Sequence, residues 1–361
     1  MSVLSMLRRK FRDSFRQRMF RKAINALNGK RGLRRNEVDD IFERVTFIFP
    51  SDLKVRNFPG KNPVAVFNPG AVLKDNVLYV FPRLIFDYYN YTSSIGRFEL
   101  DIERVMSGLK GTVETDVILW PRNVWEFKGC EDARAYLEGE RLFLLYTGYG
   151  YAGKLEREYL LKPTTVQGIA VFDKEGKEVE RGFLKVSHKG ETLPLLNVKD
   201  SAIITSKNRA FLLTRPTVEH ISLCWKGVVE LKEFVIEGES LEPVFVNESW
   251  ELKVGWSTNA VRVSSNEFLV GWHGVVKEDL SYRNGLALVD EQGDLLAISN
   301  YLLSPRGLVE EYGDRPHVIF GDGLVLHNDT LMWVGGVSDY AIGIFTTPLQ
   351  KALDKLKWVR G

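Results

Sequence analysis

Cysteine is nearly missing: Cys130 and Cys224 are the only two in 361 residues. Two are too few for a disulfide framework, so a reducing, cytoplasmic setting is expected. No apolar run approaches the roughly 18 residues that span a bilayer. The early basic residues are followed by no apolar segment of secretory type, so no leader is expected. The five histidines, at 188, 220, 273, 317 and 327, share no zinc-ligand spacing, and no metal is expected. A phosphate-cradling Gly-x-x-x-x-Gly-Lys-Ser/Thr loop and a Gly-x-Ser-x-Gly nucleophile elbow are both lacking. The tract Gly148-Tyr149-Gly150 opens no βαβ unit and is no dinucleotide fingerprint. These gaps leave the polar side chains to supply any chemistry, without an organic cofactor.

What is present begins with a charge asymmetry. Residues 1–35 carry twelve Lys/Arg against Asp13 alone, while the remainder holds 37 bases against 46 acids. Within this basic arm Leu7, Phe11, Phe15 and Met19 recur at i, i+4, and Phe20, Ile24 and Leu27 continue the face. That spacing predicts an amphipathic helix ended by Gly29 and Gly32. A basic helix beside an acidic body can meet a membrane or nucleic acid. Its apolar face favours packing on the body or on a second subunit, so we expect a homo-oligomer and neither of those other partners. A short helix capped by Asn36 is expected over residues 35–44, and a last amphipathic stretch over residues 348–359. Residues 1–44 are thus read as a helical extension and 45–361 as one domain.

That domain reads as all-β, because a hairpin pattern recurs five times. Its turns fall at Asn76, Glu140, Asn208, Asn266 and Asp329, 58 to 68 residues apart. The spacing leaves room for about four strands per unit, and five such units arranged radially make a five-bladed β-propeller. Residues at matched places in each unit then converge on one central funnel. Arg83, Arg215 and His273 end the second strands of their units. Asn68, Asp132, Asp200 and Asn259 lie near the start of the first strands, with Glu131 and Lys199 beside them and Asp339 just beyond the fifth unit. Any one of these polar residues would serve as a strand cap, but their common offsets favour a shared site.

Convergent cations at Lys199, Arg215, His273 and Arg83 suit an oxyanion approached from several strands, phosphate above all. Asp132 is the candidate general acid, with a pKa expected to be raised by burial and by Glu131. Trp125, Tyr146, Tyr149, Trp256, Tyr282 and Tyr312 are of the kind that stacks on sugar rings, whereas Trp272 reads as core.

These residues resemble a known family. Gly129-Cys130-Glu131-Asp132-Ala133-Arg134 looks like the Gly-Cys-Glu-Asp-Pro-Arg signature of glycoside hydrolase family 130, the β-mannoside phosphorylases and related β-mannosidases. Asn68-Pro69-Gly70-Ala71, Phe81-Pro82-Arg83, Lys199-Asp200-Ser201-Ala202, Thr214-Arg215-Pro216 and Trp272-His273-Gly274 are similar to further family motifs, as are the segments at 282–290 and 335–342. The resemblance implies a five-bladed propeller acting on an oligosaccharide or glycoside with a terminal β-mannosyl unit. It implies Asp132 as proton donor working through the sugar's own 3-hydroxyl. It implies inorganic phosphate as co-substrate on Lys199, Arg215 and His273, and inverting release of α-mannose 1-phosphate. Asn68, Glu131, Arg134, Asp200, Tyr146, Tyr282 and Asp339 are expected to contact or orient the sugar. Departures occur at Ala133, at Ser257-Thr258-Asn259-Ala260, at Val337-Ser338-Asp339-Tyr340 and at Arg315-Pro316-His317. A hydrolase of the same fold, using a base such as Glu310 or Glu311, and a propeller that binds glycans or proteins without catalysis are the alternatives.

Overall fold

The computed structural model describes residues 3–58, 62–109, 111–151, 162–206 and 209–359, with side chains from residue 12 onward. Leu7, Phe11 and the turn residues Lys207 and Asn208 therefore lie outside the described side chains.

Helix α1 spans Val3–Gly29. Phe15, Met19, Ala23 and Ala26 form its buried stripe, at the 3–4-residue spacing that keeps side chains on one face. The stripe packs into a cluster with Phe143, Ile169, Leu212, Val218 and Trp225. Ile24, expected on this face, is exposed, because the smaller Ala23 and Ala26 let the helix sit closer to the sheet. Basic residues fasten its flanks. Lys22 donates to Leu241 O at 2.6 Å, Lys30 to Pro243 O at 2.7 Å, and Arg16 pairs with Glu219.

The helix expected over residues 35–44 does not form. Asp39 and Ile41 instead donate their backbone N–H groups to Tyr301 and Leu302, and Ile41 and Phe42 turn into the core. Just before it, Arg34 is buried against Glu251 and lies over the Trp272 ring at 4.6 Å. The C-terminal stretch is helical only over Leu349–Leu353. Lys357–Trp358 then adds an edge strand beside Leu295–Ile298.

Most of the remaining chain is strand. Five antiparallel hairpins follow the sequence pattern. They are Ala65–Lys74 with Val77–Ile85, Gly129–Glu138 with Arg141–Gly150, Val198–Ser206 with Arg209–Val218, Glu251–Arg262 with Glu267–Val276, and Ile319–His327 with Thr330–Val337. Both strands of each are apolar on two faces because neighbouring hairpins cover them. The first turn, Asp75-Asn76, has both residues at positive φ, the geometry that two-residue hairpin loops require.

Each hairpin's first strand touches the next hairpin's first strand, and the fifth touches the first again. The approach is closest at Gly70, where a Cβ would fall 2.2 Å from Ala133 O. Among the described residues hydrogen bonding groups the hairpins into four sheets, because a single parallel bridge, Ser93 to Gly129, joins the first two units. The sheet of the fifth hairpin is completed by Glu43–Ile48, which pairs with Ala341–Pro348.

Candidate active site

The register of every first strand breaks: between Phe67 and Gly70, Glu131 and Arg134, Lys199 and Ala202, Trp256 and Ala260, and Gly321 and Gly323, the fourth strand having a further break between Glu251 and Lys253. A bulge of this kind re-aims a side chain that the pleat would bury. At three of the five the bulged residue is left-handed: Asn68 (φ 44), Asp132 (φ 51) and Asp200 (φ 55). Asn and Asp tolerate this region better than other side chains, which explains their presence at strand positions that otherwise favour β-branched residues.

These three bulges meet at a cavity of about 530 Å³. Asn68, Arg83, Asp132, Lys199, Asp200, Arg215, His273, Tyr282 and Asp339 all line it. Asp132 Oδ1 accepts from Asn68 Nδ2 at 2.9 Å and from Arg83 Nη1 at 3.1 Å. Arg83 also donates to Glu131 Oε1 at 3.1 Å and to Ser93 Oγ at 2.8 Å, and Lys199 Nζ reaches Glu131 Oε2 at 3.1 Å. Glu131 thus neutralises two cations from beneath and does not line the cavity.

Burial pushes the Asp132 carboxyl up, but Arg83, Lys199 and Arg134 outweigh it, and the net direction is below the ordinary carboxylate range. This corrects the expectation of a raised pKa: nearby cations, not Glu131, dominate. Asp339 behaves oppositely. Burial, helped by Asp132 and opposed by Arg83, lifts it to about 6.

A second cluster faces the first. Arg215 Nε donates to Asp200, and the Arg215 and His273 side chains lie against Gly255, where a Cβ would come within 2.6 Å of Arg215 Cδ and of His273 Cε1. His273 Nδ1 lies 3.0 Å from Ser257 Oγ, its ring stacks on Tyr282 at 5.6 Å, and Nε2 has no partner. Burial, reinforced by Arg215 and Lys253, holds His273 well below its ordinary pKa. The expected cation is therefore a neutral imidazole; in the tautomer with Ser257 donating to Nδ1, the buried Nε2 is left as an N–H without an acceptor.

Lys253 and Arg315 also line the cavity, with their charges over the Tyr282 ring at 5.1 and 4.7 Å. Neither side chain makes a hydrogen bond or ion pair with any described residue. Lys253 was missed because it precedes the hairpin motif by several residues, on the long lead-in of its strand. Its only signal is the i, i+2 alternation that puts it on the same face as Gly255.

Other sequence candidates lie elsewhere. Arg134 is buried in the floor, donating to Ser257 O, to Asp132 O and to Asp200, with Asp322 Oδ1 at 2.8 Å from its Nη2. It holds the bulge and cannot reach a sugar. Asp322, also missed, occupies the fifth bulge; burial pushes its carboxyl well above the ordinary range, opposed by Arg134. Tyr146 is fully buried and donates to Glu126 at 2.6 Å, so it is no stacking platform. Trp256 and Trp272 are core, Trp125 packs on Tyr146, Tyr149 lines no part of the cavity, and Tyr312 is exposed away from it. Asn259 turns sideways to pair with both backbone groups of Leu324. Glu310 is buried against Arg44, and neither it nor Glu311 lines the cavity. Among the described residues no cluster of His, Cys, Asp and Glu could hold a metal ion, and no helix is long and apolar enough to cross a membrane.

A family model described as beta-1,4-mannooligosaccharide phosphorylase matches residues 32–358. No protein of curated function matches. Solved structures do. The β-1,2-mannobiose phosphorylase of Listeria innocua in complex with β-1,2-mannobiose is 16% identical over 85% of this chain and 96% of its own, with a TM-score of 0.61. The mannose phosphorylase MPT-4 of Leishmania mexicana in complex with a phosphate ion is 14% identical over 96% of this chain and 98% of its own, at 0.57. A structure described with GH130 hydrolases that target β-1,2 mannosidic linkages in Candida mannan is 15% identical over 88% and 97%, at 0.58. At these identities the structures share a fold.

Proposed function

The chain belongs to glycoside hydrolase family 130, and from that premise we propose that it is an inverting β-mannoside phosphorylase. On this reading the five hairpins are the inner strands of a five-bladed β-propeller. The observation that carries the activity is a set of donors without acceptors. Lys253 is unpaired, His273 Nε2 has no partner, and Arg215 spends only its Nε on Asp200. Three such donors on one wall suit the several oxygens of phosphate. Lys199 completes the set from the side of Glu131. Arg83, expected among the phosphate ligands, is assigned instead to Asp132 and Glu131.

A phosphate oxygen attacks C1 of the mannosyl unit while the bond from C1 to the glycosidic oxygen breaks on the opposite face. The leaving oxygen takes a proton that Asp132 delivers through the sugar's 3-hydroxyl. Hydrogen phosphate brings one proton of its own, which returns the carboxyl to its starting state, so one protein acid suffices. Asn68 and Arg83 hold that acid, and Asp339 and Tyr282 face the sugar.

Bound phosphate also answers the low pKa of Asp132. An anion beside Lys199 and Arg215 offsets the cations that keep the carboxyl ionised, so the acid gains its proton when the nucleophile is in place. The test is incubation with β-1,2- and β-1,4-mannobiose with and without inorganic phosphate. Mannose 1-phosphate should form only with phosphate. Equal turnover without it overturns the proposal in favour of hydrolysis.

A further inference from the structure

Helix α1 lies outside residues 32–358, the part matched by the family model, yet it reaches the cavity. Arg16 Nε lies 2.9 Å from Glu219 Oε1, and Glu219 lines the cavity wall. Glu219 and Asn197, its neighbour on that wall, are both left-handed, at φ 56. Their backbones are held on each side: Asn197 N–H donates to Thr165 O at 2.8 Å and Thr217 N–H to Asn197 O at 2.7 Å. A second space lies beside this wall. Asn197 and Thr217 also line a crevice of about 120 Å³ that runs between α1 and the body. Its floor is apolar, from Phe15, Met19 and Val218, and Arg12 and Arg16 form its rim.

An apolar floor edged by amide, hydroxyl and guanidinium groups matches one chemical class in particular. A pyranose has an apolar C–H face and a ring of hydroxyls around its edge. We propose that α1 and this wall form an outer saccharide subsite, which takes the sugar unit beyond the two joined at the scissile bond. Arg16 is a specificity-determining residue there, because it holds the Glu219 carboxylate at the junction between cavity and crevice. The deep cavity is buried at Asp132, Asp200 and His273, whereas Asn197 and Glu219 are exposed. The reacting bond therefore sits inside, and a longer substrate emerges along α1.

The inference rests on the chain acting on mannosides, and its test is separable from that reading. Arg16→Ala, Arg16→Lys and the parent are compared on β-mannobiose and β-mannotriose of both linkages at saturating phosphate. Arg16→Ala should raise the KM for mannotriose relative to that for mannobiose by about fivefold or more, and Arg16→Lys should restore most of it. The same oligosaccharides are titrated by calorimetry into Asp132→Asn with and without Arg16→Ala. Weaker trisaccharide binding there supports the subsite even if no phosphorolysis is found. An unchanged trisaccharide-to-disaccharide ratio in both assays overturns it, even if phosphorolysis is confirmed. Arg16 is half exposed and its pair lies at the surface, so the variant is expected to fold, with its thermal midpoint as the control.

Discussion

Arg83 donates from Nη1 to Asp132 Oδ1 at 3.1 Å, and its other nitrogens are taken up by Glu131 and Ser93. The guanidinium is thus fixed in place by three partners on two neighbouring strands, Gly129–Glu138 and Ser93–Asp101. The proposed proton donor consequently rests as a carboxylate, in the field of a cation that cannot move away. Any account of the reaction has to raise its pKa when substrates bind.

Asp132→Asn removes the proton while keeping the size of the side chain and an oxygen for Asn68. Turnover of mannobiose should fall by about 10²–10⁴-fold. Phosphate binding measured by calorimetry should survive, since the anion's donors lie on Lys253, Arg215 and His273. A variant that retains turnover within a few-fold of the parent assigns the acid elsewhere.

Lys253→Ala deletes an unpaired cation from the proposed anion wall. A hydrogen bond to a charged group contributes roughly 1.5–3 kcal/mol, so the KM for phosphate should rise by about 10- to 100-fold. The KM for mannobiose should change much less. If the mannobiose KM moves instead, Lys253 faces the sugar.

The pH dependence should itself depend on phosphate. Asp132 lies below the ordinary carboxylate range without an anion, so its acid form is lost early as pH rises. A bound anion opposes Lys199 and raises that pKa. The alkaline limb of the rate profile should therefore move to higher pH between low and saturating phosphate. An unmoved limb means that the anion and the acid are not electrostatically linked.

Asp339→Asn is expected to stabilise the protein in a pH-dependent way. Its folded pKa of about 6 exceeds the unfolded value, so the folded state binds the proton more tightly. Its contribution is present below the unfolded pKa and is lost as pH rises through about 6. Unfolding free energy from denaturant titration should then increase by up to about 3 kcal/mol at pH 8. At pH 4 the gain should be near zero. Equal gains at both pH values attribute the effect to packing.

Arg34→Ala tests how the chain's N-terminal strap is held. The variant strands the buried Glu251, whose remaining partners are Tyr301 and the Glu248 N–H. A loss of about 3–5 kcal/mol is expected, read as a lower denaturant midpoint. A loss below 1 kcal/mol would show that Tyr301 and the Glu248 N–H suffice for Glu251.

Much of this molecule is legible in one sequence because its hairpins are local. Asp75-Asn76 and Gly139-Glu140 announce turns between apolar runs, and the register follows. The bulge residues Asn68, Asp132 and Asp200 are legible for a related reason: polar residues at strand starts conflict with strand propensity and call for another use. Asn259 shows the limit. It has the same offset and residue type but lacks the left-handed backbone, so it bonds sideways to Leu324. Lys253 and Asp322 escaped notice since a cation on a long strand and an Asp between two glycines look like ordinary surface and turn. Tyr146 and His273 misled in charge and exposure, because burial and field depend on partners far along the chain, such as Phe81 for Tyr146 and Arg215 for His273.

Glu43–Ile48 pairs with Ala341–Pro348, with Glu43 opposite Thr346. During synthesis that early strand leaves the ribosome with nothing to pair with, and about three hundred residues must follow before its partner exists. Its edge is open throughout, a template for mispairing with another nascent chain. The hairpins in between can form as they emerge, yet the ring of contacts between them closes only when the fifth has been made. Helix α1, docked on the third unit, is free to settle well before that. The order of translation thus makes closure of the fifth sheet a late event, and the cavity, which draws residues from all five units, comes into being with it.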